Sequence, residues 1–183
     1  MKTEYTNKGK AYNMVLSGFL MSMGILLPWA TSHAFGVPGT VLLPMHLPIL
    51  ILGLVCGPFY GALGGVMVPV LSSILTGMPP SFPMLPIMIG ELTTYGFICG
   101  MMHFKLHQSI FTSLVSALIC GRITYAVIFT ILFNLAKGPF KALSVSAAFI
   151  TGLPGIAIQL ILIPIVVRLI HRYINASHLE ARF

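Results

Sequence analysis

VPGTVLLPMHLPILILGLVCGPFYGALGGVMVPVLSSILTGMPPSFPMLPIMIGELTTYG, residues 37–96, is the stretch whose reading decides the fold. Glu91 is its one fully charged side chain, and its apolar runs are broken by Pro and Gly rather than by ions. Lipid tolerates Gly and Pro in helices because neighbouring helices satisfy the backbone groups they free, whereas a charge in hydrocarbon is costly. The stretch therefore reads as membrane helices joined by tight turns. It opens on His46 between Pro44 and Pro48, turns at Gly57-Pro58-Phe59-Tyr60-Gly61, and turns again at Gly77-Met78-Pro79-Pro80. It then re-enters the apolar phase carrying Glu91, Thr93, Thr94 and Tyr95.

The rest of the chain has the same character. Of its 183 residues, 57% are hydrophobic and 7% charged, against about 25% charged in a soluble domain. Such a chain cannot cover a water-facing surface, so the fold expected is an all-α integral membrane protein. At roughly 20 residues per span the length allows about six helices, forming one transmembrane domain over residues 1–183. Cys56, Cys99 and Cys120 all lie in apolar segments without a CxxC pair and read as small buried hydrophobes. The net charge of +7 gathers at the chain ends and implies no nucleic-acid partner. Lys2, Lys8 and Lys10 before an apolar run and Ser32-His33-Ala34 imitate a secretory signal. Nothing downstream resembles a secreted domain, and a first transmembrane helix is the reading preferred.

In chain order the helices are expected over residues 11–28, 44–56, 59–75, 84–104, 109–135 and 146–172. Helix 1 carries a small-xxx-small step at Gly18 and Ser22, which lets another helix approach closely. The second helix is short for a crossing. Gly53, Gly57, Gly61 and Gly65 recur every four residues across the turn that follows, a pattern for close packing against a neighbour. Loops at 31–43, 76–83 and 135–145 fall at one end. His103, Lys105 and His107 form a basic junction at the other; two His without a carboxylate or third ligand read as interfacial, not as a metal site. Six spans place both termini and this junction on one side, with Lys2, Lys8, Lys10, Lys105, Arg168, Arg172 and Arg182, against Lys137 and Lys141 opposite. The positive-inside rule then puts both termini in the cytoplasm.

Polar residues inside the spans share a depth. At about 1.5 Å per residue, Glu91 lies about 10 Å and Arg122 about 18 Å in from the outer face. His46, Thr94, Tyr95, Tyr125, Asn134 and Gln159 fall at compatible levels, in the outer half of the bilayer. An intramembrane charge costs about 2.5–3.5 kcal/mol even on the lenient scale, so each faces a partner or a cavity. Two arrangements stay open: a structural Glu91–Arg122 pair, or an Arg122 fork aimed at a substrate carboxylate. Gln159 and Asn134 serve equally as interhelical hydrogen-bond partners. No GxxxxGK[ST], HExxH or GxSxG occurs, so neither nucleotide hydrolysis nor intramembrane catalysis by this chain is expected, and no metal site.

The phrases LLPMHLPILILG, GPFYGALGGVMVPVLSSILTGMPP and ELTTYG, with six short spans, a basic N-terminus and a small-residue first helix, resemble the substrate-binding S component of an energy-coupling factor (ECF) transporter. The likeness covers nearly the whole chain. Gly18-xxx-Ser22 stands where that family carries Ala-xxx-Ala. The resemblance implies a multi-pass subunit of the cell membrane that captures a vitamin from outside. It implies association with a transmembrane coupling (T) subunit and two cytoplasmic ATPase subunits, which use ATP; no cofactor is expected on this chain itself. The implied pocket lies under the outer loops, with Arg122, His46, Glu91, Thr94, Tyr95, Tyr125, Asn134 and Gln159 as candidate ligands. Gly18, Ser22, Gly57, Gly61 and Gly65 are the candidate docking residues. Pantothenate is the favoured substrate, Arg122 answering its carboxylate; nicotinate, pyrimidine precursors and cobalamin fragments are alternatives. A stand-alone secondary transporter and a structural subunit that binds no small molecule are the competing classes.

Overall fold

The structure, a computed structural model, describes residues 10–35, 42–136 and 145–180, with side chains over 10–31, 42–134 and 150–172. These form six helices: α1 Lys10–Phe35, α2 His46–Cys56, α3 Pro58–Thr76, α4 Met84–Phe104, α5 Ile110–Ala136 and α6 Val145–Glu180. No strand occurs among the described residues. Five helices are long and apolar enough to cross a membrane; α2, with 11 residues, is not. The expected loops at 31–43 and 135–145 fall largely outside the described residues, as do Lys137 and Lys141.

Helix α1 continues through Pro28 to Phe35. Thr31 Oγ1 donates to the carbonyls of Leu27 and Pro28, at 2.9 and 3.1 Å, tying its side chain to the helix backbone at the proline. Helix α6 likewise absorbs Pro154 and Pro164. Both cases follow from a medium in which leaving the helix would expose more backbone than the proline frees.

The short helix is the centre of the bundle. At about 1.5 Å per residue α2 spans only about half of a ~30 Å hydrocarbon layer. Ten of its 11 residues are buried, and Ile49, Leu50, Leu52 and Leu54 are wholly so. A half-membrane helix survives because protein, not lipid, surrounds its ends. Its start is closed by His46 N–H donating to Leu43 O at 3.1 Å, with Leu43 at φ +49°. Its end is a one-residue corner: Gly57 has φ +97°, a conformation that favours glycine, and Pro58 starts α3 at once. The chain reverses there, so Gly61 faces Gly53, and Gly64 faces Ile49 and Leu52.

Helix α4 packs against both arms of this hairpin. A β-carbon at Gly53 or Gly61 would strike the Gly96 carbonyl, one at Gly65 the Thr93 backbone, and one at Gly100 the Pro58 backbone. These contacts run antiparallel between α3 and α4 and parallel between α2 and α4. Helix α5 returns antiparallel to α4, Gly90 meeting Ile128 and Gly121 meeting Tyr95. Helix α1 lies parallel to α3 through Met21 on Gly64 and Gly24 on Val68. Alternating directions bring the start of α1, the α4–α5 turn and the end of α6 to one end of the bundle. There His103 of α4 stacks near His171 of α6, with ring centroids 6.3 Å apart. Outward faces carry large apolar side chains such as Phe19, Ile74, Ile150 and Ile161, as a lipid-facing surface requires.

Candidate functional site

At the opposite end, side chains from α2, α4 and α5 meet in one buried cluster, and α6 closes it. Glu91 and Tyr95 sit four apart on α4, hence one above the other on the same face, and Tyr95 Oη donates to Glu91 Oε1 at 2.9 Å. The Tyr95 ring has room because α5 presents Gly121 beneath it. From α5, Arg122 Nη1 lies 3.1 Å from Glu91 Oε1. Its guanidinium lies against α6 at Gly152, where a β-carbon would come within 2.8 Å of Nη2. From the start of α2, His46 Nε2 lies 3.7 Å from Glu91 Oε2, and its ring tilts over Tyr95 at a centroid distance of 5.3 Å. Glu91 is 3% exposed, Arg122 6% and His46 2%. Such a pair holds two charges in a dry place, and each is tolerable only while the other stays.

Gln159 joins from α6. It is wholly buried, and its Nε2 reaches Leu43 O at 3.5 Å, the same carbonyl that receives the His46 N–H. Tyr125, one turn beyond Arg122 on α5, is 4% exposed and within electrostatic reach of both Glu91 and Arg122. Among the described residues, His46 Nδ1 and Nε2, Tyr125 Oη and Gln159 Oε1 are buried without a hydrogen-bond partner. Buried polar atoms ordinarily have one, and these four lie together in the cluster.

The remaining candidates divide. Thr94 is spent on packing: its Oγ1 donates to Gly90 O at 2.8 Å and lies 3.1 Å from Thr124 Oγ1, tying α4 to α5. Asn134 lies outside the cluster, exposed, its side-chain amide donating to Thr130 O at 2.9 Å. The docking glycines are corrected. Gly57, Gly61 and Gly65 are buried, Gly57 forming the α2–α3 corner and Gly61 and Gly65 lying against α4, so they are not a surface for another subunit. The fourfold spacing did mark close packing, but the neighbour is α4, and its own Gly96-xxx-Gly100 was the signal for that. Gly18 and Ser22, by contrast, face outward, with nothing within 4 Å of a β-carbon at Gly18. Among the described residues, no group of three or more His, Cys, Asp or Glu is placed to hold a metal ion.

The family model described as "ECF transporter, substrate-specific component" matches residues 12–167. No curated protein and no solved structure matches the chain.

Proposed function

This chain belongs to the ECF transporter substrate-specific component family, and on that premise we propose that it captures a small vitamin or vitamin precursor and delivers it through partners that hydrolyse ATP. The observation that carries this reading is the cluster of His46, Glu91, Tyr95, Arg122, Tyr125 and Gln159 at one end of an otherwise apolar bundle. Polar groups buried within a membrane protein are costly and mark a binding or transport pathway by default. The basic ends of the chain favour an orientation with both termini cytoplasmic, which puts the cluster toward the outer face.

The partners proposed are a T subunit and two cytoplasmic ATPase subunits. Gly18 and Ser22, on the outward face of α1 with Val15 and Leu26, are the docking positions that the bundle leaves uncovered. Pantothenate is the acidic candidate to test: Arg122 lies at the right depth to answer its carboxylate, which would first have to displace Glu91 from that guanidinium, as a neutral substrate would not. Reconstitution into proteoliposomes tests the function. The chain alone should accumulate no vitamin, and adding the T and ATPase subunits should give uptake that depends on ATP. Robust accumulation by the lone chain would replace this reading with a secondary transporter.

A further inference from the structure

The cluster carries a plus and a minus that answer each other. Arg122 Nη1 and Glu91 Oε1 are 3.1 Å apart, and the same carboxylate takes the Tyr95 hydroxyl and faces His46. The Glu91–Arg122 pair by itself carries no net charge. An anion entering the cluster would set an uncompensated charge beside the Glu91 carboxylate, in surroundings where charges are weakly screened. Beside this pair, uncharged groups on three different helices hold buried atoms without a hydrogen-bond partner: His46 on α2, Tyr125 on α5 and Gln159 on α6.

Their hydrogen-bond characters define what fits. The Gln159 amide is oriented by its Nε2 donating to the Leu43 carbonyl, which leaves Oε1 to accept only. Tyr125 Oη has a hydrogen to donate, and the His46 ring carries at least one N–H. A ligand completing this set brings an N–H or O–H to Gln159 and a carbonyl or hydroxyl oxygen to Tyr125 or His46. A neutral amide, lactam, imide or hydroxymethyl group does so. A carboxylate has no hydrogen for Gln159.

We infer that the substrate presents an uncharged donor-and-acceptor group to His46, Tyr125 and Gln159, and that the Glu91–Arg122 pair stays intact beneath it. The inference rests on the capture reading above and gives its substrate class. It makes Tyr125 a specificity residue whose hydroxyl serves the ligand and not the fold.

Matched acid and neutral probes decide it. Binding to the purified full chain would be measured at neutral pH for nicotinamide against nicotinate, pantothenol against pantothenate, uracil against orotate, and pyridoxine against pyridoxate. At least one neutral member should bind, about tenfold or more tighter than its acid, a gap of about one decade in Kd. Tyr125→Phe should weaken that binding by about tenfold while the ligand-free melting temperature stays level or rises, since the hydroxyl removed was a buried unpaired group. Tighter binding of the acids, binding of no probe, or a lowered melting temperature in Tyr125→Phe would each overturn the inference. Co-purification with the T and ATPase subunits and ATP-dependent uptake are scored in parallel. Acids that win in a chain which still assembles and transports remove the substrate class alone; a chain that neither assembles nor transports removes the capture reading.

Discussion

On α4, Glu91 and Tyr95 meet side chains, while Gly96, the very next residue, and Gly100 meet backbone. The first region is held by two charges, a hydroxyl and an imidazole drawn from three helices. The second is held by helices so close that no side chain fits between them. A backbone-to-backbone seam has no rotamers to change, so it acts as a rigid hinge-free floor. The polar region depends on a few long side chains that have other positions open to them, and unpaired buried atoms of His46, Tyr125 and Gln159 lie in it. A ligand bound at the cluster, as proposed, would rearrange side chains of α2, α5 and α6 around the close-packed α2–α3–α4 backbone.

Breaking the polar region should cost most. Arg122→Ala leaves Glu91 buried without its cation, and a loss of about 3–5 kcal/mol of stability is expected, read as a large fall in melting temperature. An unchanged melting temperature would mean that the cluster contributes nothing to the fold. Next comes the seam. Gly96→Ala places a β-carbon on the Gly61 backbone, where no flexible side chain can give way. A loss of about 1–3 kcal/mol, as for overpacked cores, is expected, and Gly61→Ala should match it. Ligand affinity of whatever protein still folds should be nearly normal, since neither glycine touches the cluster. The smallest effect belongs to the outer face of α1. Gly18→Leu should change stability by no more than about 0.5 kcal/mol, as for other surface positions. It should weaken co-purification with the T subunit. Normal assembly by Gly18→Leu would move the docking surface elsewhere.

Much of this fold is legible in the amino-acid sequence. Apolar runs punctuated by Pro and Gly gave six helices with α2 too short to cross, because those two residues mark turns in a chain that cannot use charges. Glu91 and Arg122 were found by their cost, since an ion in hydrocarbon has to have an answer. What they answer was open, because sequence depth gives a level and not a direction around the helix. Gly121 under Tyr95 and Gly152 beside Arg122 supply that direction, and nothing local to Tyr95 or Arg122 announces them. Asn134 shared the depth but not the face. The glycine series showed close packing correctly; its neighbour was assigned to another subunit because the matching Gly96 and Gly100 lie on a helix some 40 residues away. The run of α1 past Pro28 was missed because Pro is a stronger stop in water than in lipid.

The central claim is that Glu91 answers Arg122 when no ligand is bound, and a double-mutant cycle on Glu91→Gln and Arg122→Gln measures that directly. Each single change strands one buried charge, whereas the pair of amides keeps the shape and removes both. Unfolding free energies in the same detergent, without ligand, should show each single variant losing about 3 kcal/mol or more and the double variant recovering most of it. The coupling energy should then exceed about 2 kcal/mol. Losses that simply add, with a coupling near zero, would show that Glu91 and Arg122 do not depend on each other. Arg122 would then be the counter-charge of an acidic substrate after all.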